Sequence, residues 1–147
     1  MVNNKLIFIP GNVPSSKNSR INTKNGSFAS KTVKAYLNSL GIQSYSSSKK
    51  IVKGYVNKPN LIENLREDFL KEIEGKELPL EIGFHFVRNS LRKWDFHNIV
   101  QAPLDLLTAH DIIIDDNIDC VVPFALKIDN KFYSVDKLNP GVWIKII

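Results

Sequence analysis

Between Leu61 and Val87 the apolar residues change period, and that change limits what this chain can fold into. Leu61, Ile62, Leu65, Phe69, Leu70 and Ile73 recur at intervals of three and four, with Glu and Lys at helical spacing on the other face. Pro59-Asn60 before the run and Gly75 after it are end signals. The run therefore predicts an amphipathic helix of roughly a dozen residues, packed on a sheet. From Leu78 the pattern alternates. Leu80, Ile82, Phe84 and Phe86 fall on one side, and Glu81, Gly83 and His85 on the other. That reads as a half-buried strand, with His85 structural on its polar face.

Other strands read more briefly. Lys5 to Ile9 is a short apolar run closed by the turn pair Pro10-Gly11. Cys120 to Ile128 and Lys131 to Val135 flank Asp129-Asn130, a hairpin signal, and Asn139-Pro140-Gly141 precedes a terminal strand GVWIKII. Strand, long insert, helix, strand, helix and three strands predict an α+β fold: one mixed sheet with two main helices packed on it. The 147 residues suit a single domain, 1–147, that buries roughly two-thirds of its unfolded surface.

Residues 21–60 read as a basic, loop-rich insert. The stretch NVPSSKNSRINTKNG, residues 12–26, has too much Pro, Ser and Asn for regular structure, and Lys17, Arg20 and Lys24 keep it basic. It is either a solvated loop or a loop whose cations and short polar side chains contact phosphates. A helix is expected within Phe28–Leu40, and Ser44–Lys50 reads as a poorly ordered connection. Lys49, Lys50, Lys53 and Lys58 lie in a region without acids, either a solvated surface or a DNA-facing flap. The lone Cys120 excludes an intrachain disulfide and a multi-thiolate zinc site, and its apolar neighbours predict a buried, inert thiol. No apolar run approaches the ~18 residues of a membrane span, and the N-terminus has no signal-peptide pattern. The expectation is a cytoplasmic protein with no membrane partner.

The chemistry concentrates between Arg92 and Asn117. This stretch holds Asp95, Asp105, Asp111, Asp115 and Asp116, five of fifteen acids, in a chain of net charge +5. Ile99, Val100, Leu104 and Leu107 mark the buried face of a helix from about Phe96 to Ala109. Pro103 lies inside that pattern and removes the bond to residue 99, which predicts a kink or a later start. On such a helix His97, Gln101 and Asp105 are successive i, i+4 neighbours, with His97 about 6 Å from Gln101 and about 12 Å from Asp105 along the axis. His97 is then placed to share a metal with Asp95, Gln101 to reach a scissile phosphate, and Asp105 to support. The run Ile112-Ile113-Ile114 ends in Asp115-Asp116. Adjacent acids on a strand face opposite ways, so Asp116 is the expected ligand and Asp115 a second ligand or support. Asp-Asp-Asn is also a hydrated-turn signature, and a tight turn would bring both acids inward. Converging carboxylates in a basic chain point to cation-assisted phosphate chemistry.

The pattern Asp95-x-x-Asn98, a helix ending Leu104-Asp105-Leu106-Leu107, an apolar run and Asp115-Asp116 resembles the RusA family of small Holliday-junction resolvases of phages and prophages. IPGNVPSSKNSR resembles that family's opening strand and loop. The likeness is tightest from Arg92 to Asn117, weaker from Leu6 to Arg20, and loose in the terminal strands. It implies a homodimeric, metal-dependent endonuclease of DNA recombination and repair that nicks four-way DNA in pairs. By this likeness Asp95 is the first acid of the family's D-x-D-N motif and Asn98 its asparagine. Asp116 is the downstream acid with Asp115 beside it, and Asp105 the acid late in the helix. Two positions depart: His97 replaces the second acid, and Gln101 replaces a lysine. The resulting expectation is a catalytic set of Asp95, Gln101, Asp105 and Asp116, and a metal set of Asp95, His97, Asp115 and Asp116. The metal is magnesium, or manganese because imidazole suits it better. Lys17, Asn18, Arg20, Arg92, Lys93 and Asn98 are the expected DNA contacts. Two other functions stay open: a non-catalytic binder of branched DNA, and a related nuclease acting on flaps or replication forks.

Overall fold

Five apolar runs assemble into one sheet. The structure, a computed structural model, describes residues 5–15, 20–23, 26–46, 48, 50–52 and 56–147, with the side chains of 20–23 and 26–29 outside that description. In chain order the elements are β1 (Leu6–Pro10), β2 (Arg20–Thr23), β3 (Gly26–Ala29), α1 (Lys31–Ser39), β4 (Ser44–Tyr45), β5 (Ile51–Val52), α2 (Leu61–Ile73), β6 (Leu80–Arg88), α3 (Phe96–Ile99), α4 (Gln101–Ala109), β7 (Val121–Ala125), β8 (Tyr133–Val135) and β9 (Gly141–Ile146). The main sheet runs β1-β9-β6-β7, and β8 pairs with β6 beyond the end of β7. β9 is antiparallel to β1 and β6, whereas β7 and β8 are parallel to β6. The fold is the expected α+β single domain on a mixed sheet, and α1 is the helix expected within Phe28–Leu40, with Phe28 and Ala29 falling in β3 instead.

β6 is central, and its environment differs from the expected half-buried strand. Residues 82–87 are all buried. Phe124 and Leu126 close over the second face, lying against Gly83 where a side chain would otherwise project. His85 is therefore 1% exposed rather than on a polar face. Both of its ring nitrogens are engaged, Nδ1 with the Leu126 carbonyl at 2.8 Å and Nε2 with Ser134 Oγ at 2.7 Å. Its structural assignment holds. Pro10 and Pro123 sit on β1 and β7, each with one strand neighbour, where a missing N–H is tolerated.

The Asp129-Asn130 turn forms, with φ of 50° and 67° between the bridged residues Ile128 and Lys131. Those angles are those of a tight hairpin turn. It does not pair β7 with β8, however. Both strands run along β6 in one direction, and the turn is a short excursion between them.

Each helix start and stop has a local cause. Asn60 Oδ1 accepts from the N–H groups of Ile62 and Glu63 at 2.9 and 3.1 Å, capping α2, whose Ile62 and Phe69 enter the core. Ser30 caps α1. At its other end the Ile42 N–H reaches the Leu37 carbonyl and the Gly41 N–H the Asn38 carbonyl, a Schellman stop. Gly41 has φ +80°, and a Cβ there would lie 2.2 Å from the Pro59 carbonyl oxygen. Only glycine fits.

The insert carries more order than its composition predicts. Arg20–Thr23 pairs with Gly26–Ala29, and Ser44–Tyr45 with Ile51–Val52. Both are hairpins, in which backbone pairing substitutes for apolar patterning. The expectations on Lys17, Asn18, Lys24, Lys49 and Lys53 lie outside the described residues, as does that on the Arg20 side chain. Cys120 is half-buried rather than buried. Among the described residues, no helix is long and apolar enough to cross a membrane.

Candidate active site

The predicted single helix from Phe96 to Ala109 is two segments, α3 and α4, joined at Val100. Pro103 explains the late start. It falls in the first turn of α4, where a missing N–H removes little. Gln101 thereby becomes the first residue of the longer segment, and Asp105 lies one turn further on.

α4 ends by turning the chain back. Asp111 takes φ +54°, the Ile112 N–H bonds the Leu107 carbonyl at 2.9 Å, and the Asp111 N–H bonds the Thr108 carbonyl at 3.1 Å. This stop resembles that of α1, with aspartate in place of glycine. Ile112 and Ile113 drop into the core, and Ile114 is 77% exposed, so the isoleucine run is not a strand. The acidic pair follows in a turn. Asp115 accepts from the Asp116 N–H at 2.8 Å and from Asn117 Nδ2 at 3.2 Å. The turn alternative read from Asp-Asp-Asn is what forms, and it sends the two acids different ways: Asp115 is exposed and Asp116 half-buried.

Asp116 returns to the start of α4. There Gln101 Nε2 donates to Asp105 Oδ1 at 2.8 Å and to Asp116 Oδ2 at 2.7 Å. The two hydrogens of one amide nitrogen thus hold two carboxylates from different elements. All three side chains are half-buried. The i, i+4 spacing of Gln101 and Asp105 was read correctly. That Gln101 would join them to Asp116 was not, because no local pattern encodes that return path.

The other expected residues are described by different contacts. Asp95 is exposed at the N-terminus of α3, and its Oδ2 accepts from Asn98 Nδ2 at 3.3 Å. Asn98 therefore orients Asp95. His97 is exposed on α3, and Arg92 and Lys93 are exposed between β6 and α3. Among the described residues, no three His, Cys, Asp or Glu side chains gather into a set able to hold a metal ion. The donor chemistry that does converge is all oxygen. Asp105 and Asp116 meet at one point, and a turn of the Gln101 amide about its last bond would present Oε1 there as a third. Such a set suits magnesium, which prefers oxygen ligands.

One residue missed by sequence reasoning, Tyr45, lies near enough to Asp105 to feel its charge. Among the described residues, the buried hydroxyls of Tyr36 and Tyr45 have no hydrogen-bond partner. Burial pushes the Tyr45 hydroxyl far above the usual phenol value, and the charge of Asp105 adds to this. Burial likewise raises Tyr36, while the Arg88 cation opposes it. Tyr45 lies in the stretch read as a poorly ordered connection, so no signal marked it. Comparison with known proteins finds no family model that matches the chain and no matching curated relative.

Proposed function

We propose that this protein is a metal-dependent endonuclease that nicks branched DNA, with the four-way junction as its substrate. The observation that carries the reading is the convergence of Asp105 and Asp116 on Gln101, at 2.8 and 2.7 Å, in a chain of net charge +5. Carboxylates held at one point by a neutral donor provide oxygen ligands, and the exposed Arg92 and Lys93 supply cations for a polyanion.

In this reading Asp105 and Asp116 hold a magnesium or manganese ion. Asp95 and Asp115, from the RusA likeness, and His97, from its place beside Asp95, are the further ligands expected from the sequence. The bound ion would polarise the scissile phosphodiester and make a water acidic enough to attack it. Gln101 fixes the separation of two carboxylates that would otherwise repel each other. Asn98 orients Asp95 through its amide. Arg92 and Lys93 hold neighbouring phosphates, an interaction that weakens steeply with salt. A homodimer would place one such site on each of two strands of a two-fold symmetric junction.

A second reading is branched-DNA binding without cleavage. It is favoured by the Gln101 amide, whose two hydrogens already occupy the point where the carboxylates meet. Four-way junctions, flaps and forks of matched sequence separate these readings when incubated with magnesium and with manganese. Selective cutting of the junction supports the proposal. Preferred cutting of flaps or forks reassigns the substrate, and retarded DNA without nicks favours the binder.

A further inference from the structure

Arg88, the last residue of β6, is a cation without a carboxylate. All fifteen acids of the chain lie among the described residues, and none pairs with it. Its guanidinium is half-buried, and removal from water lowers its pKa. Among the described residues one donor is used: Nη1 bonds the Val13 carbonyl at 2.6 Å. The guanidinium also lies 5.7 Å from the centre of the Trp94 ring, which edge contacts with Phe86 and Tyr133 hold in place. Tyr36, near enough to feel the Arg88 charge, keeps a buried hydroxyl with no hydrogen-bond partner among the described residues. This spot is rich in donors and short of acceptors. Buried and half-buried donors ordinarily find acceptors, and a guanidinium fork matches a phosphate.

The location fits a DNA backbone. The Arg88–Val13 bond and the bond from the Asn89 N–H to Asn12 Oδ1, at 3.1 Å, fasten the loop after β1 to the end of β6. The exposed cations Arg92 and Lys93 follow, and then Trp94 and Asp95. An anion on Arg88 would sit where the loop, the basic turn and the approach to Asp95 meet.

We propose that Arg88 is a phosphate-binding residue: its unpaired, half-buried guanidinium, steadied by the face of Trp94 and the Val13 carbonyl, takes a phosphodiester of bound DNA. The DNA part of this assignment rests on the nuclease reading, and the anion site itself does not. In a Trp143→Phe background Trp94 is the one remaining tryptophan, so its fluorescence reports on the site. Inorganic phosphate should change that signal saturably. Arg88→Gln should weaken the response about tenfold, the scale of one hydrogen bond to a charged group. Arg88→Lys, which keeps charge but loses the fork, should fall between.

With four-way DNA, Arg88→Gln should lower the slope of log affinity against log salt by about 1, and Arg88→Lys should leave it unchanged. A merely structural Arg88 would shift the melting temperature and leave that slope alone. A Trp94 signal indifferent to phosphate in the parent overturns the proposal whatever the variants do. So does an Arg88→Gln protein that titrates like the parent. A phosphate response that needs Arg88, in a protein that binds no DNA, would sink the nuclease reading and leave the anion site standing.

Discussion

Replacing Gln101 by Met keeps the length of the side chain and removes the amide that joins Asp105 to Asp116. Two bonds are lost, at 2.8 and 2.7 Å, both accepted by carboxylates. Hydrogen bonds to charged groups contribute about 1.5–3 kcal/mol each when enclosed. All three side chains are half-buried, so a discount to about half leaves a destabilisation of roughly 2 kcal/mol at neutral pH. Urea unfolding followed by circular dichroism reads this as a lower midpoint with an unchanged slope. Asp116→Asn alone should cost less, because the asparagine oxygen still accepts from Gln101. In the double variant Gln101→Met/Asp116→Asn the new amide can donate to Asp105, so the two changes should couple by about 1 kcal/mol. A Gln101→Met protein within about 0.5 kcal/mol of wild type, or strict additivity, would refute the claim that this amide organises the site.

The remaining predictions concern the frame around the site. His110 is buried, its Nδ1 donating to the Leu106 carbonyl at 2.7 Å and its Nε2 accepting from Asn60 Nδ2 at 3.0 Å. Burial holds its folded pKa below the unfolded value of about 6.5, so the unfolded chain gains the proton first. Stability should be level above that pH and decline as pH falls below it, and His110→Gln should flatten the acid limb of a urea-midpoint profile. Asn60→Ala removes both the cap of α2 and the partner of His110, and should cost about 1–2 kcal/mol in the same assay. Gly41→Ala meets both an unfavourable φ and the Pro59 carbonyl, and should lower stability by at least about 1 kcal/mol in a thermal melt. His97→Asp should shift cleavage toward magnesium, and an unchanged metal profile would remove His97 from the ligand set.

Periodicity made α2 and β6 legible because each stretch repeats one pattern for long enough to be told from the other. It misjudged the environment of β6, since what covers Gly83 and His85 comes from Phe124, Leu126 and Ser134, about forty residues later. The hairpins β2–β3 and β4–β5 were hidden because backbone pairing leaves little trace in polar sequence. In the site, the Gln101–Asp105 pair could be read from helical spacing alone. Asp116 could not be joined to it, because its return depends on Asp111 adopting a left-handed conformation after α4. Tyr36, Tyr45 and Arg88 carry no motif. Their significance is that, among the described residues, the two tyrosine hydroxyls have no hydrogen-bond partner and Arg88 has no carboxylate, which only three-dimensional packing reveals.

The central claim is tested most directly by incubating the protein with a labelled synthetic four-way junction, in magnesium and separately in manganese, beside Asp116→Asn. A denaturing gel resolves the products. The account predicts symmetric nicks on opposed strands by the wild type, absent from the variant although it still retards the junction. Intact strands in both metals, or nicking that survives Asp116→Asn, would contradict it.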